Sequence, residues 1–100
     1  MTHQDPPLVT HEDLLNVRAA ERVQFVESYL LQSIAAFRPT GAAAFAASAH
    51  LSDLAIDSLQ VVELKLGLDQ LLGRELDVGI IVANPTIHEL AEEGLRACGL

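Results

Sequence analysis

The chain has 100 residues, half of them apolar, and a formal net charge of -8 from 14 acidic and 6 basic side chains. That length allows one domain with a modest core, and the acidic balance speaks against nucleic acid, whose phosphates call for Lys and Arg, and for partners with basic surfaces. A single cysteine, Cys98, excludes an internal disulfide framework; with no apolar run near the ~20 residues of a membrane span and no signal-peptide pattern, a soluble cytoplasmic domain is expected.

Residues 1–9 are polar and contain Pro6 and Pro7; they read as a flexible lead, and 10–100 as one domain. Met1 ahead of this lead hints at an authentic start. The composition is rich in helix formers, with four aromatic residues and no Trp. A first long helix falls within 11–37. Thr10 caps its start, with Asp13 completing an imperfect capping box. Val23, Val26, Leu30, Ile34 and Phe37 step by 3, 4, 4 and 3, one apolar stripe. The pattern leaves open whether 11–18 joins this helix or forms a separate turn. Arg38-Pro39-Thr40-Gly41 ends it.

A connection from about 39 to 57 follows. "GAAAFAASAH" has helix-forming composition without a strong period, so at most a helical turn is expected there. Connections of this length in small domains are usually functional or mobile. Leu51, Leu54 and Ile56 are expected to pin it to the core. The second helix runs from about 58 to 72 and stops near Gly73. It carries two apolar stripes: Val61, Leu64, Leu68 and Leu71 on one side, and Leu59, Val62 and Leu66 on the other. A helix apolar on both sides is either surrounded or presents a surface to a partner. Lys65, Asp69 and Gln70 share the helix, which favours a core stripe plus a docking stripe.

"DVGIIVANPT", residues 77–86, has the composition of a buried strand. Nothing else in the chain offers it a sheet partner, so a short irregular helical turn is expected. The last helix opens at Thr86, where Thr86 and Glu89 form a capping box with Pro85 just outside. Ile87, Leu90, Ala91 and Leu95 face inward. The sum is an all-α fold of three main helices and a short fourth, a small bundle.

Within "LAIDSLQVVELKLG", residues 54–67, Ser58 stands alone at the mouth of the second helix. Serine at a helix start usually caps, but Asp57 is an equally good cap. If Asp57 caps, the Ser58 hydroxyl is free, and the backbone N–H groups and the helix dipole favour an anion attached to it.

"LAIDSLQVVELKLGLDQLLG" resembles the phosphopantetheine-attachment motif of acyl carrier proteins, whose core is Asp-Ser-Leu followed by an apolar-acidic helix. "RELDVGIIVANPTIHELAEE" continues the resemblance to carrier domains of modular polyketide synthases, where a Pro-Thr pair opens the last helix. It spans about residues 23 to 97. The family usually has Gly where Ala55 stands, and aromatic or acidic residues where Val82 and Ala83 stand. Peptidyl carriers usually have His at the position of Asp57, so Asp57 tilts the reading to acyl cargo. The absence of Trp argues against the tryptophan-marked subgroup linked to β-branching.

The resemblance implies an acyl-carrier-protein-like four-helix bundle that is not itself an enzyme. Ser58 would receive 4'-phosphopantetheine from coenzyme A through a phosphopantetheinyl transferase that supplies activation and Mg²⁺. The chain would then shuttle acyl groups as thioesters among a ketosynthase, an acyltransferase and other enzymes of polyketide or related fatty acid synthesis, as a monomer. Carried over by position, Asp57, Leu59, Val62, Glu63 and Leu66 form the partner face. Two alternatives stay open: a peptidyl carrier of a hybrid assembly line, and a non-covalent helical docking module, which leaves Ser58 unused.

Other candidates carry less. His3, His11, His50 and His88 show no metal spacing and read as surface residues. A Ser58–His50 or Ser58–His88 hydrolase pair lacks the Gly-x-Ser-x-Gly elbow and its sheet. Gly67, Gly73 and Gly79 form no phosphate loop. Cys98 reads as a packed or frayed thiol.

Overall fold

A computed structural model of the chain describes residues 9–37, 47–54 and 56–100. The expected lead over 1–8, the stop at 38–41, the helical turn expected within 41–46, the Ala55 position and the Phe37 side chain lie outside the described residues.

Among the described residues five helices stand in chain order: α1 (His11–Leu15), α2 (Arg22–Phe37), α3 (Ser58–Leu72), α4 (Gly79–Val82) and α5 (Ile87–Ala97). Short 3₁₀ turns cover Ala19–Glu21 and Leu51–Leu54. The bundle of three main helices and a short one is therefore present, with α1 as a second short helix. It settles the status of 11–18 as separate from α2. Thr10 and Asp13 make a full reciprocal capping box rather than an imperfect one. α1 ends after Leu15, and there the Arg22 guanidinium donates from Nε to the Val17 carbonyl at 3.1 Å and reaches the Leu15 carbonyl at 3.5 Å. Carbonyls at the end of α1 are thus satisfied from outside the helix.

One apolar core joins all three long helices. Val26, Leu30 and Ile34 of α2 are fully buried, as are Leu68 of α3 and Ile87, Leu90 and Ala91 of α5. Leu51 and Leu54 are buried and Ile56 packs against the core they belong to, pinning the connection as expected. Leu14, Tyr29, Leu72 and Leu76 join this core too, although no stripe in the sequence marked them. Where α2 and α3 meet, a Cβ on Gly67 would run into the Tyr29 hydroxyl, so glycine permits the close approach.

The end of α3 is fixed from three directions. Gly73 closes it in the left-handed conformation at φ 75°. The His11 ring lies 2.8 Å from the Leu71 carbonyl through Nδ1, which must therefore carry the proton. Asp69 accepts from Lys65 Nζ at 2.8 Å and from the Leu76 amide at 3.0 Å. One sequence reading needs correction here. His11 is a half-buried tether, not a plain surface residue. The side chains of Lys65 and Asp69 are only 13% and 11% exposed. Pairing lets both charges be sheltered.

The 77–86 segment forms α4, the short helical turn expected. Asp77 Oδ1 accepts from the Gly79 amide at 2.8 Å and starts it. The single β pairing among the described residues is an isolated antiparallel bridge from His50 to Thr86. Thr86 then caps α5 in a reciprocal box with Glu89.

Candidate functional site

The site is built on the first turn of α3. Asp57 takes the cap: its side chain accepts from the Gln60 amide at 2.8 Å, and Gln60 Oε1 accepts from the Asp57 amide at 3.1 Å. Asp57 itself is extended, at φ -82° and ψ 175°, as a cap residue should be. Ser58 is consequently the first helical residue, exposed, with no hydrogen-bond partner for its hydroxyl among the described residues. The free N–H groups of a 15-residue helix lie around it. That is a field for a negative group joined at Ser58 Oγ, and it offers no base to activate the hydroxyl.

The two stripes of α3 separate as expected. Leu64, Leu68 and Leu71 point into the core and Val61 is half-buried. Leu59, Val62 and Leu66 remain 66%, 52% and 54% exposed. Asp57 and Glu63 are exposed with them. Aliphatic side chains left open beside carboxylates, on the turns that follow Ser58, make a surface that is sticky in the middle and charged at the edge. Three further exposed aliphatics, Leu15, Val78 and Val82, were not marked by the sequence reading as surface. Val82 was notable only as a departure from the family pattern, and a four-residue helix such as α4 gives no periodicity to read.

Among the described residues, His11, His50 and His88 do not converge on Ser58. The two ring nitrogens of His88 face Glu27 and Glu92, and His50 faces Asp53. Among the described residues no group of three or more His, Cys, Asp or Glu is arranged to hold a metal ion, and no helix is long and apolar enough to cross a membrane. Cys98 packs against the core, and burial pushes its thiol up from the usual range.

Comparison with known proteins adds one match. A family model described as the phosphopantetheine attachment site matches residues 28–93, from mid-α2 to near the end of α5. No curated protein and no solved structure matches the chain.

Proposed function

The chain belongs to the phosphopantetheine-attachment family, and from that premise we propose that Ser58 bears the arm and that the protein is an acyl carrier of polyketide type. Carriers of this family are tethers, not catalysts, and hold 4'-phosphopantetheine covalently. The observation that supports Ser58 is the division of labour at the mouth of α3: Asp57 caps, so the adjacent hydroxyl is exposed and, among the described residues, unengaged. The residues fit the group, since a phosphodiester on Ser58 Oγ would lie against the N–H groups of the first turn. When attached, the arm supplies a thiol on a flexible tether, which raises the effective concentration of its cargo at each partner to about the millimolar range.

What this chain's residues do follows from their positions. Ser58 offers an oxygen and no base, so deprotonation falls to the transferase that modifies it. Leu59, Val62 and Leu66 would seat on an apolar spot of each partner, while Asp57 and Glu63 would meet basic residues around it. A carrier that visits a ketosynthase, an acyltransferase and others must also leave them. Small interfaces, below ~1,200 Å², suit that turnover, and charge speeds approach without adding area. Acyl rather than aminoacyl cargo is supported by Asp57, at a position where peptidyl carriers usually have His.

The test is intact mass after incubation with coenzyme A and a phosphopantetheinyl transferase. The parent chain should gain the arm completely, and Ser58→Ala should gain nothing while keeping its helical signal, because Asp57 still caps. Modification of Ser58→Ala would move the site elsewhere. Loading assays with acyl and aminoacyl donors then decide the cargo class.

A further inference from the structure

Away from Ser58, three parts of the chain meet around His88. The backbone of 47–52 lies against 84–88. The His88 amide donates to the Ala47 carbonyl at 2.8 Å, Ile87 to Ala49 at 3.0 Å, and Leu51 to Pro85 at 3.1 Å. Ser52 donates to Asn84 Oδ1 at 2.9 Å, and Asn84 Nδ2 donates back to Ser52 Oγ at 3.1 Å. The segment held in this way runs directly into the 3₁₀ turn at Leu51–Leu54 and on to Asp57 and Ser58.

The His88 ring closes the junction from the side. It sits on α5 and reaches Glu27 on α2 through Nδ1, in close contact, while Nε2 lies 3.3 Å from Glu92 on its own helix. Two carboxylates on two ring nitrogens suit one protonation state. The imidazolium donates to both; the neutral ring has one N–H, and its bare nitrogen would face carboxylate lone pairs. The Glu27 side chain is only 17% exposed, so it is poorly placed to recover water in exchange. The other charged groups at the junction are Glu89 on α5 and His50, whose ring lies 3.7 Å from Asp53. Glu89 is held below the usual carboxylate range first by the Thr86 amide, with His50 and His88 assisting. Among the described residues no lysine or arginine forms an ion pair with Glu27, Glu89 or Glu92.

We propose that His88 is a proton-set latch: as the imidazolium it ties α5 to α2 and steadies the 47–52 segment against 84–88, and on losing its proton it releases that junction while the leucine core stays packed. This goes beyond the carrier assignment and holds whether or not Ser58 bears an arm. The hydrogen bond to Glu27 is the largest influence on the His88 ring, and with Glu92 it raises the affinity for the proton above the ordinary value of 6.5 despite partial desolvation. A group raised on folding contributes fully below its unfolded value and is lost as pH rises through its folded one. Release therefore lies on the alkaline side of 6.5.

The experiment is an NMR titration of the full chain between about pH 5.5 and about pH 9, with amide hydrogen exchange corrected for its intrinsic pH dependence. The His88 ring should titrate above an ordinary histidine. Across that step the Ile87, His88 and Leu51 amides should lose protection by about threefold to tenfold, while the Leu30 and Leu68 amides hold theirs. His88→Gln and Glu27→Gln should each remove the pH-dependent step. A ring that titrates at or below the ordinary value overturns the latch. So does an unchanged step in either variant, which would assign the dependence to His50.

Discussion

Leu66 and Leu68 sit two residues apart on α3, yet Leu66 is 54% exposed and Leu68 is fully buried. They share a residue type and a helix. What differs is the object opposite. Leu68 meets the core formed with α2 and α5, whereas Leu66 meets solvent with Leu59 and Val62. Full burial of one leucine stabilises a fold by about 1.5–3 kcal/mol, so the inward face secures α3 and the outward face is left to bind. A helix read only for leucines looks uniform; this one has a structural side and an unsatisfied side.

The sharpest test of that difference is truncation on each face. Leu68→Ala and Leu64→Ala should each cost about 2–5 kcal/mol by urea denaturation, from lost burial plus the cavity left behind. Leu66→Ala should cost well under half of that, because little burial is lost. Equal midpoints for Leu66→Ala and Leu68→Ala would break the comparison, and the docking face would then have to lie elsewhere.

How far the sequence carried this reading depends on the range of each interaction. The limits of α3 and the start of α5 were legible because the signals are local: Asp57 or Ser58 as a cap, Gly73 as the stop, and Thr86 with Glu89. The two faces of α3 followed from period alone. The break between α1 and α2 was left open by the pattern, and the Arg22 guanidinium that meets the Val17 carbonyl there is a contact periodicity does not show. The role of His11, whose partner carbonyl is 60 residues away, was not legible, nor was that of His88, 61 residues from Glu27. The sequence shows Lys65 and Asp69 as an i,i+4 pair but not that it is sheltered, which depends on the Leu76 amide coming back to Asp69. At the site, Asp57 as cap was readable as one of two options. Only the hydrogen bond to Gln60 decided between Asp57 and Ser58.

That decision gives a second, smaller contrast, between neighbours at the mouth of the same helix. Asp57→Ala should cost about 1 kcal/mol, the usual loss for a cap replaced by alanine. Ser58→Ala should stay within about 0.5 kcal/mol of the parent, as expected for an exposed side chain without a partner. Thermal or urea melts of the two variants under one condition suffice. If Ser58→Ala proved the costlier change, the serine would be the cap and its hydroxyl would be engaged before any arm arrived.

The smallest effect expected is on rate, and it probes the charged edge of the outward face. Glu63 is exposed on α3, among Leu59, Val62 and Leu66. Its carboxylate does little for the fold, so Glu63→Lys should leave the melting temperature nearly unchanged. In transfer to or from a partner enzyme with a basic docking surface, the same change replaces attraction by repulsion. The rate should fall several-fold at low ionic strength, and the deficit should shrink as salt approaches physiological levels, where the Debye length is about 8 Å. Leu66→Ala, in the same assay, should slow transfer by an amount that salt does not restore, because it removes contact area rather than charge. The two salt profiles separate the roles of rim and centre. Parallel profiles would mean that Glu63 and Leu66 do not share one interface, and the outward face of α3 would no longer account for partner recognition.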